Sequence, residues 1–270
     1  MSILTKIPSE NKIEKEVKKI LFPNGLRCPY CNRKWHLRYL VKEKRYFCPK
    51  CRKKFSFKSI SWLKHSKLKL NDIYLVIYLW QKKISPQGIK DLTRLSKPTI
   101  VSFLKKLREN IPEETVRLSG DVQVDESFFG RQRYDNQLVV IGAKEKSGKV
   151  GFKIIPDREQ DTIETFIHET IVPYSIVNSD YHSSYQGLET LGYIHNAFNH
   201  SIGHFTGTNR IENVWSVIKR LIRKMYNRLL KEYLPYYLKE FQARFNHKEY
   251  FDNPLSYLKI SLKVVPSSLL

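Results

Sequence analysis

Two sets of side chains in this 270-residue sequence have the types and spacing to do chemistry, and the cysteines are the simpler. All four fall in one 24-residue stretch, as Cys28-Pro-Tyr-Cys31 and Cys48-Pro-Lys-Cys51. Two such knuckles with 16 residues between them let four thiolates close tetrahedrally on one zinc ion. Two disulfides are the competing arrangement, which requires an oxidising compartment. Four cysteines leave no coordination position for water or substrate, so zinc here would be structural, holding together a module too small to fold alone. Trp35, Leu37, Tyr39 and Phe47 are expected to form the small core of that module. Arg33, Lys34, Arg38, Lys42, Lys44 and Arg45 are then free to meet phosphates.

The second set is acidic. Asp125 lies in Val122-Gln-Val-Asp-Glu-Ser-Phe-Phe-Gly130, and an acid inside an apolar strand is costly unless it faces a cation or an exposed edge. Strand alternation sends Asp125 and Glu126 to opposite faces, so only one of them can serve a given site. Asp180 ends the apolar run Ile176-Val-Asn-Ser-Asp180, where it can either face a ligand crevice or cap a helix. Glu212 sits in a helical run with Asn209 three residues before it and Lys219 seven after, all on one face beside Ile211, Trp215 and Ile218. By itself Glu212 reads as a solvated acid on an amphipathic helix. As a set, three carboxylates from distant elements could hold two Mg2+ or Mn2+ ions, hard cations that prefer oxygen ligands and drive in-line phosphodiester displacement. Lys219 would then touch DNA phosphate near the cut. His182, His195, His200 and His204 cluster near the second and third acids. Most are expected to be structural, with His200 available to orient a metal-bound water or to contact DNA.

Charge and periodicity indicate what positions these groups. Residues 1–120 carry 29 Lys and Arg against 9 Asp and Glu, whereas residues 121–270 carry 19 against 17. A front half this basic points to a polyanion, through counterion release at phosphates, although a membrane-surface or ribosome-associated module would look similar. Residues 1–24 read as a helix ending at Phe22-Pro23-Asn24-Gly25, followed by a zinc ribbon over 25–58. Residues 68–112 read as three helices: Asn71–Gln81, Pro86–Leu95 behind Ser85, and one starting at Pro98. They fit either a helix-turn-helix unit or plain linking helices. Lys97, Lys105, Lys106 and Arg108 on or beside the last helix favour DNA reading. From residue 118 to 250 the sequence gives three consecutive strands and then strands alternating with helices near Thr162–Thr170, Ser183–Leu191, Asn209–Met225 and Lys231–Asn246. This pattern predicts a mixed α/β domain, with 251–270 as a tail. No stretch of about 18 uncharged apolar residues is present and the first residues lack a secretory apolar core, so a soluble intracellular protein is expected.

Taken in order, the two cysteine knuckles, the helical unit, Val124-Asp-Glu-Ser-Phe-Phe-Gly130, Ser179-Asp180, Asn199-His-Ser201 and Thr208-Asn-Arg-Ile-Glu-Asn-Val-Trp215 resemble the IS1595-type insertion-sequence transposases with an ISXO2-like catalytic domain, relatives of the Merlin elements. The resemblance covers about residues 25–250. It implies an α/β, ribonuclease-H-like mixed sheet flanked by helices, with a DDE triad at Asp125, Asp180 and Glu212, and it admits Asn209 as an alternative third member. It also implies a DNA transposase that binds terminal inverted repeats of double-stranded DNA and performs metal-dependent cleavage and strand transfer as a homo-oligomer. Catalytic Mg2+ or Mn2+, structural Zn2+ at Cys28, Cys31, Cys48 and Cys51, and an intracellular location on DNA belong to the same expectation. Lys219, Asn209, Lys97, Lys105, Arg33 and Lys34 are its DNA contacts. The sequence departs from the family pattern at Gly207, where relatives often carry His, and at Tyr181, where Gly is common. Two other readings stay open: a non-catalytic zinc-ribbon and helix-turn-helix regulator, and a nuclease that hydrolyses without joining.

Overall fold

A computed structural model describes residues 7–130, 137–198, 207–226 and 229–263. The chain divides into two compact units, one made of residues 1–112 and 249–270, the other of residues 113–248. Among the described residues no helix is long and apolar enough to cross a membrane.

The first unit opens with α1 (Glu10–Leu21), which buries Ile13, Val17 and Leu21 four residues apart along one stripe. The ribbon follows as an antiparallel sheet of β1 (Arg38–Leu40), β2 (Arg45–Phe47) and β3 (Lys54–Phe55). Its core differs from the expected one, because Trp35 is 67% exposed and Tyr39 is 41% exposed. Phe55 is buried instead, 5.5 Å from Tyr46 and 6.5 Å from Phe22, with Phe57 beside them. The ribbon is too thin to bury both faces and packs the face that α1 covers. Three helices come next: α2 (Leu70–Gln81), α3 (Pro86–Leu92) and α4 (Lys97–Glu109). The Ser85 hydroxyl accepts the Gly88 N–H and Ser96 accepts that of Thr99, so serine caps and early prolines set both short helices. Lys97 is exposed on the first turn of α4, but Arg108 is only 4% exposed and does not belong to a DNA-facing surface.

The second unit is built on β4 (Asp121–Phe129), β5 (Leu138–Glu145) and β6 (Val150–Ile155), then α5 (Gln160–Thr170), β7 (Ile176–Asp180), β8 (Ile194–Phe198), α6 (Asn209–Tyr226) and α7 (Leu234–Asn246). The sheet order is β6-β5-β4-β7-β8. The first three strands pair antiparallel, whereas β7 and β8 run parallel to β4 on its other side. This is the ribonuclease-H-like arrangement that the resemblance implies. Alternation along β4 divides the two faces. Val122 and Val124 join Ile163, Phe166 and Ile167 of α5 in one core, while Phe129 joins Ile211, Val214, Trp215 and Ile218 of α6 in the other. Burial of each such α6 side chain contributes about 1.5–3 kcal/mol.

Two expected helices differ. Ser183–Leu191 forms a 3-10 turn at Ser183–Tyr185 and then irregular turns, because Ser184 donates to the Arg158 carbonyl and Gly187 packs directly against Gln160 and Glu164 of α5. Lys231–Tyr233 is a 3-10 turn and α7 starts at Leu234, with Pro235 in the first turn, where its missing N–H costs nothing. In the first unit, the segment expected as a tail carries α8 (Pro254–Ser261), capped by Asn253 at 3.0 Å from the Ser256 N–H. Its Tyr257 is buried, donates to the Leu107 carbonyl and packs 5.2 Å from Trp80.

Candidate active site

The site grows out of the register between two parallel strands. Asp121, Val122 and Gln123 of β4 stand beside Ile176, Val177 and Asn178 of β7, where the paired register ends. Two residues further on lie Asp125 and Asp180, so period-2 alternation sets both acids on the face that α6 covers, at the carboxyl end of the parallel pair. Asn178 on that face donates to Asp121 Oδ1 at 2.8 Å, whereas Val177 and Ser179 turn to the α5 side. Asp125 and Glu126 point to opposite faces, as alternation requires. Glu212 comes in on the first turn of α6, where Thr208 Oγ1 donates to its Oε1 at 2.6 Å.

The electrostatics link the three acids. Burial, the largest cause, together with the charges of Glu126, Asp180 and Glu212, pushes the Asp125 carboxyl up from 3.8 to about 7, against a lowering hydrogen bond from the Glu126 backbone N–H. Asp180 Oδ1 is buried and takes no hydrogen bond. A buried carboxylate oxygen without a donor is costly, and a hard divalent cation is the partner that removes the cost. The donor set therefore fits Mg2+ or Mn2+. The three acids are not packed as tightly as the cysteines: among the described residues, those four thiols are the group of His, Cys, Asp or Glu ligand atoms lying within 4.8 Å of one another.

Sequence reasoning missed the residues that hold this arrangement. The Gln123 carboxamide Oε1 accepts the backbone N–H groups of Arg210 at 2.7 Å and Ile211 at 3.2 Å, and its Nε2 donates to Asn209 Oδ1 at 3.4 Å. A β4 side chain thus caps α6. Arg210 also pairs with Asp121 at 2.5 Å. The Trp215 indole N–H donates to Asp125 Oδ2 at 3.1 Å. Gly142, opposite Asp125 on β5, leaves the space for that ring, since a Cβ there would lie 2.5 Å from two of its carbons. A polar residue between Val122 and Val124 was the available signal for Gln123. Nothing local marked Gly142.

Behind the sheet, Glu126 is buried and accepts from Tyr185 Oη at 2.5 Å and Arg158 at 2.9 Å. This pairing explains how two adjacent acids coexist in one strand. His182 Nδ1 lies 2.9 Å from Ser184 Oγ and His195 Nε2 lies 2.8 Å from Ser179 Oγ, which gives both rings structural partners. Asn199, His200, Ser201 and His204 lie outside the described residues. Gly207 is buried against Phe198, whose ring occupies the space that a Cβ there would need.

The cysteines converge: Cys28 and Cys51 sulfurs are 3.5 Å apart, as are those of Cys31 and Cys48, and all four are free thiols. Four sulfurs this close could bind one zinc ion. Of the expected DNA contacts, Lys219 and Asn209 lie on the exposed face of α6, with Lys219 Nζ 5.6 Å from the Phe129 ring centroid. Lys105 lies 3.9 Å from Glu109 on α4. Arg33 Nε donates to the Trp35 carbonyl at 2.9 Å, and Lys34 Nζ stands 4.8 Å over the exposed Trp35 ring.

Residues 117–246 match the ISXO2-like transposase domain of the IS1595 group. An uncharacterized transposase-like protein of Haemophilus influenzae (strain ATCC 51907 / DSM 11121 / KW20 / Rd) is 35% identical over 119 residues, which are 43% of this chain and 94% of that protein. Among solved structures, the HTLV-2 integrase catalytic core domain in complex with magnesium aligns over 49% of this chain and 85% of its own, at 13% identity and a TM-score of 0.34. The simian T-cell lymphotropic virus intasome in complex with PP2A regulatory subunit B56 gamma aligns over 64% and 68%, also at 13% identity and 0.34.

Proposed function

The chain belongs to the ISXO2-like transposase family, and on that premise we propose that it is a DNA transposase that binds the terminal inverted repeats of its element and cuts and joins DNA at Asp125, Asp180 and Glu212. The observation that carries this reading is the placement of Asp125 and Asp180 on one sheet face, each two residues beyond the last paired positions of β4 and β7, with one Asp180 oxygen buried and without a hydrogen bond. Bound Mg2+ or Mn2+ would activate the attacking oxygen of water or a 3'-hydroxyl and offset charge on the leaving oxygen. The chain's own part is to hold the three carboxylates from β4, β7 and α6, and to set Lys219 two turns beyond Glu212 against a phosphate. Asn209 Oδ1 is engaged by Gln123, which supports Glu212 as the third member.

Zinc at Cys28, Cys31, Cys48 and Cys51 is structural in this reading. Lys97 and Lys105 on α4, with Arg33 and Lys34 on the ribbon, bring the basic first unit onto duplex DNA inside the cell. Bringing two element ends together requires more than one copy, and two-fold pairing is the commonest geometry.

The test uses the full-length chain with duplex element ends and Mn2+. The wild-type protein should nick and join them. Asp125→Asn, Asp180→Asn and Glu212→Gln should each lose activity about a hundredfold or more, the loss of several kcal/mol of charge stabilisation, while binding ends within about threefold of wild type. Activity that survives in all three variants sinks the assignment. Ends bound but left intact by the wild type would make the protein a regulator instead, and cutting without joining a nuclease.

A further inference from the structure

The α6-facing side of β4 carries three consecutive polar positions, Asp121, Gln123 and Asp125, and each one grips α6. Asp121 pairs with Arg210, Gln123 caps the N–H groups of Arg210 and Ile211, and Asp125 takes the Trp215 indole N–H. From Gln123 to Asp125 the strand advances about 6.6 Å, and from Arg210 or Ile211 to Trp215 the helix advances about 6–7.5 Å, so these two contacts keep step, while the long Arg210 side chain reaches back to Asp121. Glu212 lies between the residues held by Gln123 and by Asp125.

Packing alone does not require an indole at 215. Phe129 and Phe152 meet this ring with centroids 6.0 and 5.3 Å away, contacts that another aromatic ring would also make. What the indole adds is a donor aimed at one oxygen of a half-buried carboxylate, and Gly142 stands where a Cβ would lie 2.5 Å from two carbons of that ring. We propose that Trp215 is a positioning residue of this site: its N–H fixes Asp125 Oδ2 and, with the Gln123 cap, holds Asp125 and Glu212 in one orientation toward a divalent cation. This rests on the ion-binding role proposed above for the three carboxylates.

The experiment measures Mn2+ binding by calorimetry on the full-length, zinc-loaded chain without DNA, and duplex-end binding separately. Partners that orient metal ligands are worth about ten- to a hundredfold in affinity. Trp215→Phe should therefore bind Mn2+ at least about tenfold more weakly than wild type while holding DNA ends equally well. Gly142→Ala keeps the indole but crowds it, so it should weaken Mn2+ similarly and carries the test if Trp215→Phe does not fold. Mn2+ should also quench tryptophan fluorescence in the wild type, and this quench should be lost in Trp215→Phe and in Asp125→Asn. Wild-type Mn2+ affinity in both Trp215→Phe and Gly142→Ala, alongside weakened binding in Asp125→Asn, overturns the positioning role and leaves the ion site standing. A wild type that binds Mn2+ no better than Asp125→Asn removes the ion site and the positioning role together.

Discussion

Asp125→Asn on the protein without added magnesium or manganese isolates the cost of holding an acid in this strand. The carboxyl titrates at about 7 in the folded chain against 3.8 ordinarily, chiefly because it is buried and secondarily because Glu126, Asp180 and Glu212 repel its charge. An acid raised in this way supports folding fully below its ordinary pKa, and that support drains away as pH rises through the folded value. At 1.36 kcal/mol per pKa unit the whole difference is about 4 kcal/mol, of which between 2 and 3 kcal/mol falls between about pH 5 and about pH 8. Water still reaches part of the side chain, so about 2 kcal/mol is the working expectation. Asparagine removes the titration but keeps an oxygen for the Trp215 N–H. Urea unfolding of both proteins, zinc retained, should show the variant gaining about 2 kcal/mol over wild type between about pH 5 and about pH 8. Manganese added at the upper pH should then stabilise the wild type and leave the variant unchanged. A stability difference that stays flat with pH refutes the account of Asp125 as a strained, charge-crowded acid.

Four further outcomes follow from the same geometry. Cys48→Ser should take zinc from about one ion per chain to almost none in a colorimetric chelator assay, and unchanged zinc would mean the cysteines do not share an ion. Tyr185→Phe should cost about 1.5–3 kcal/mol in urea unfolding, since Glu126 loses a hydrogen bond it cannot replace from water; a neutral result contradicts its burial. Gly207→His should destabilise by about 1–3 kcal/mol by displacing Phe198, and an equally stable variant would show that the contact is slack. Lys219→Ala should lower the slope of log affinity against log salt for end binding by about one, and an unchanged slope removes Lys219 from the phosphate contacts.

The sequence by itself determined whatever rests on local spacing. Two knuckles of cysteines specify one four-thiol cluster, because close pairs on tight turns leave few other ways to satisfy four sulfurs. The alternation of β4 specified that Asp125 and Glu126 part company, because side chains in a strand have no third direction. The serine cap at 85 marked its helix, because its hydroxyl satisfies an N–H group a few residues away. Only the tertiary structure decided which ribbon face is buried, since that depends on Phe22 and α1 arriving from outside the ribbon. Only it turned Ser183–Leu191 away from a helix, through contacts with α5. The setting of the acids was likewise invisible along the chain: a tryptophan 90 residues from Asp125, a glutamine 87 residues from Arg210, and a glycine whose missing side chain makes room for the first. Local pattern reports what a residue can do with near neighbours, whereas the direction of a donor or the charge felt by an acid is set by groups that folding alone brings within a few ångströms.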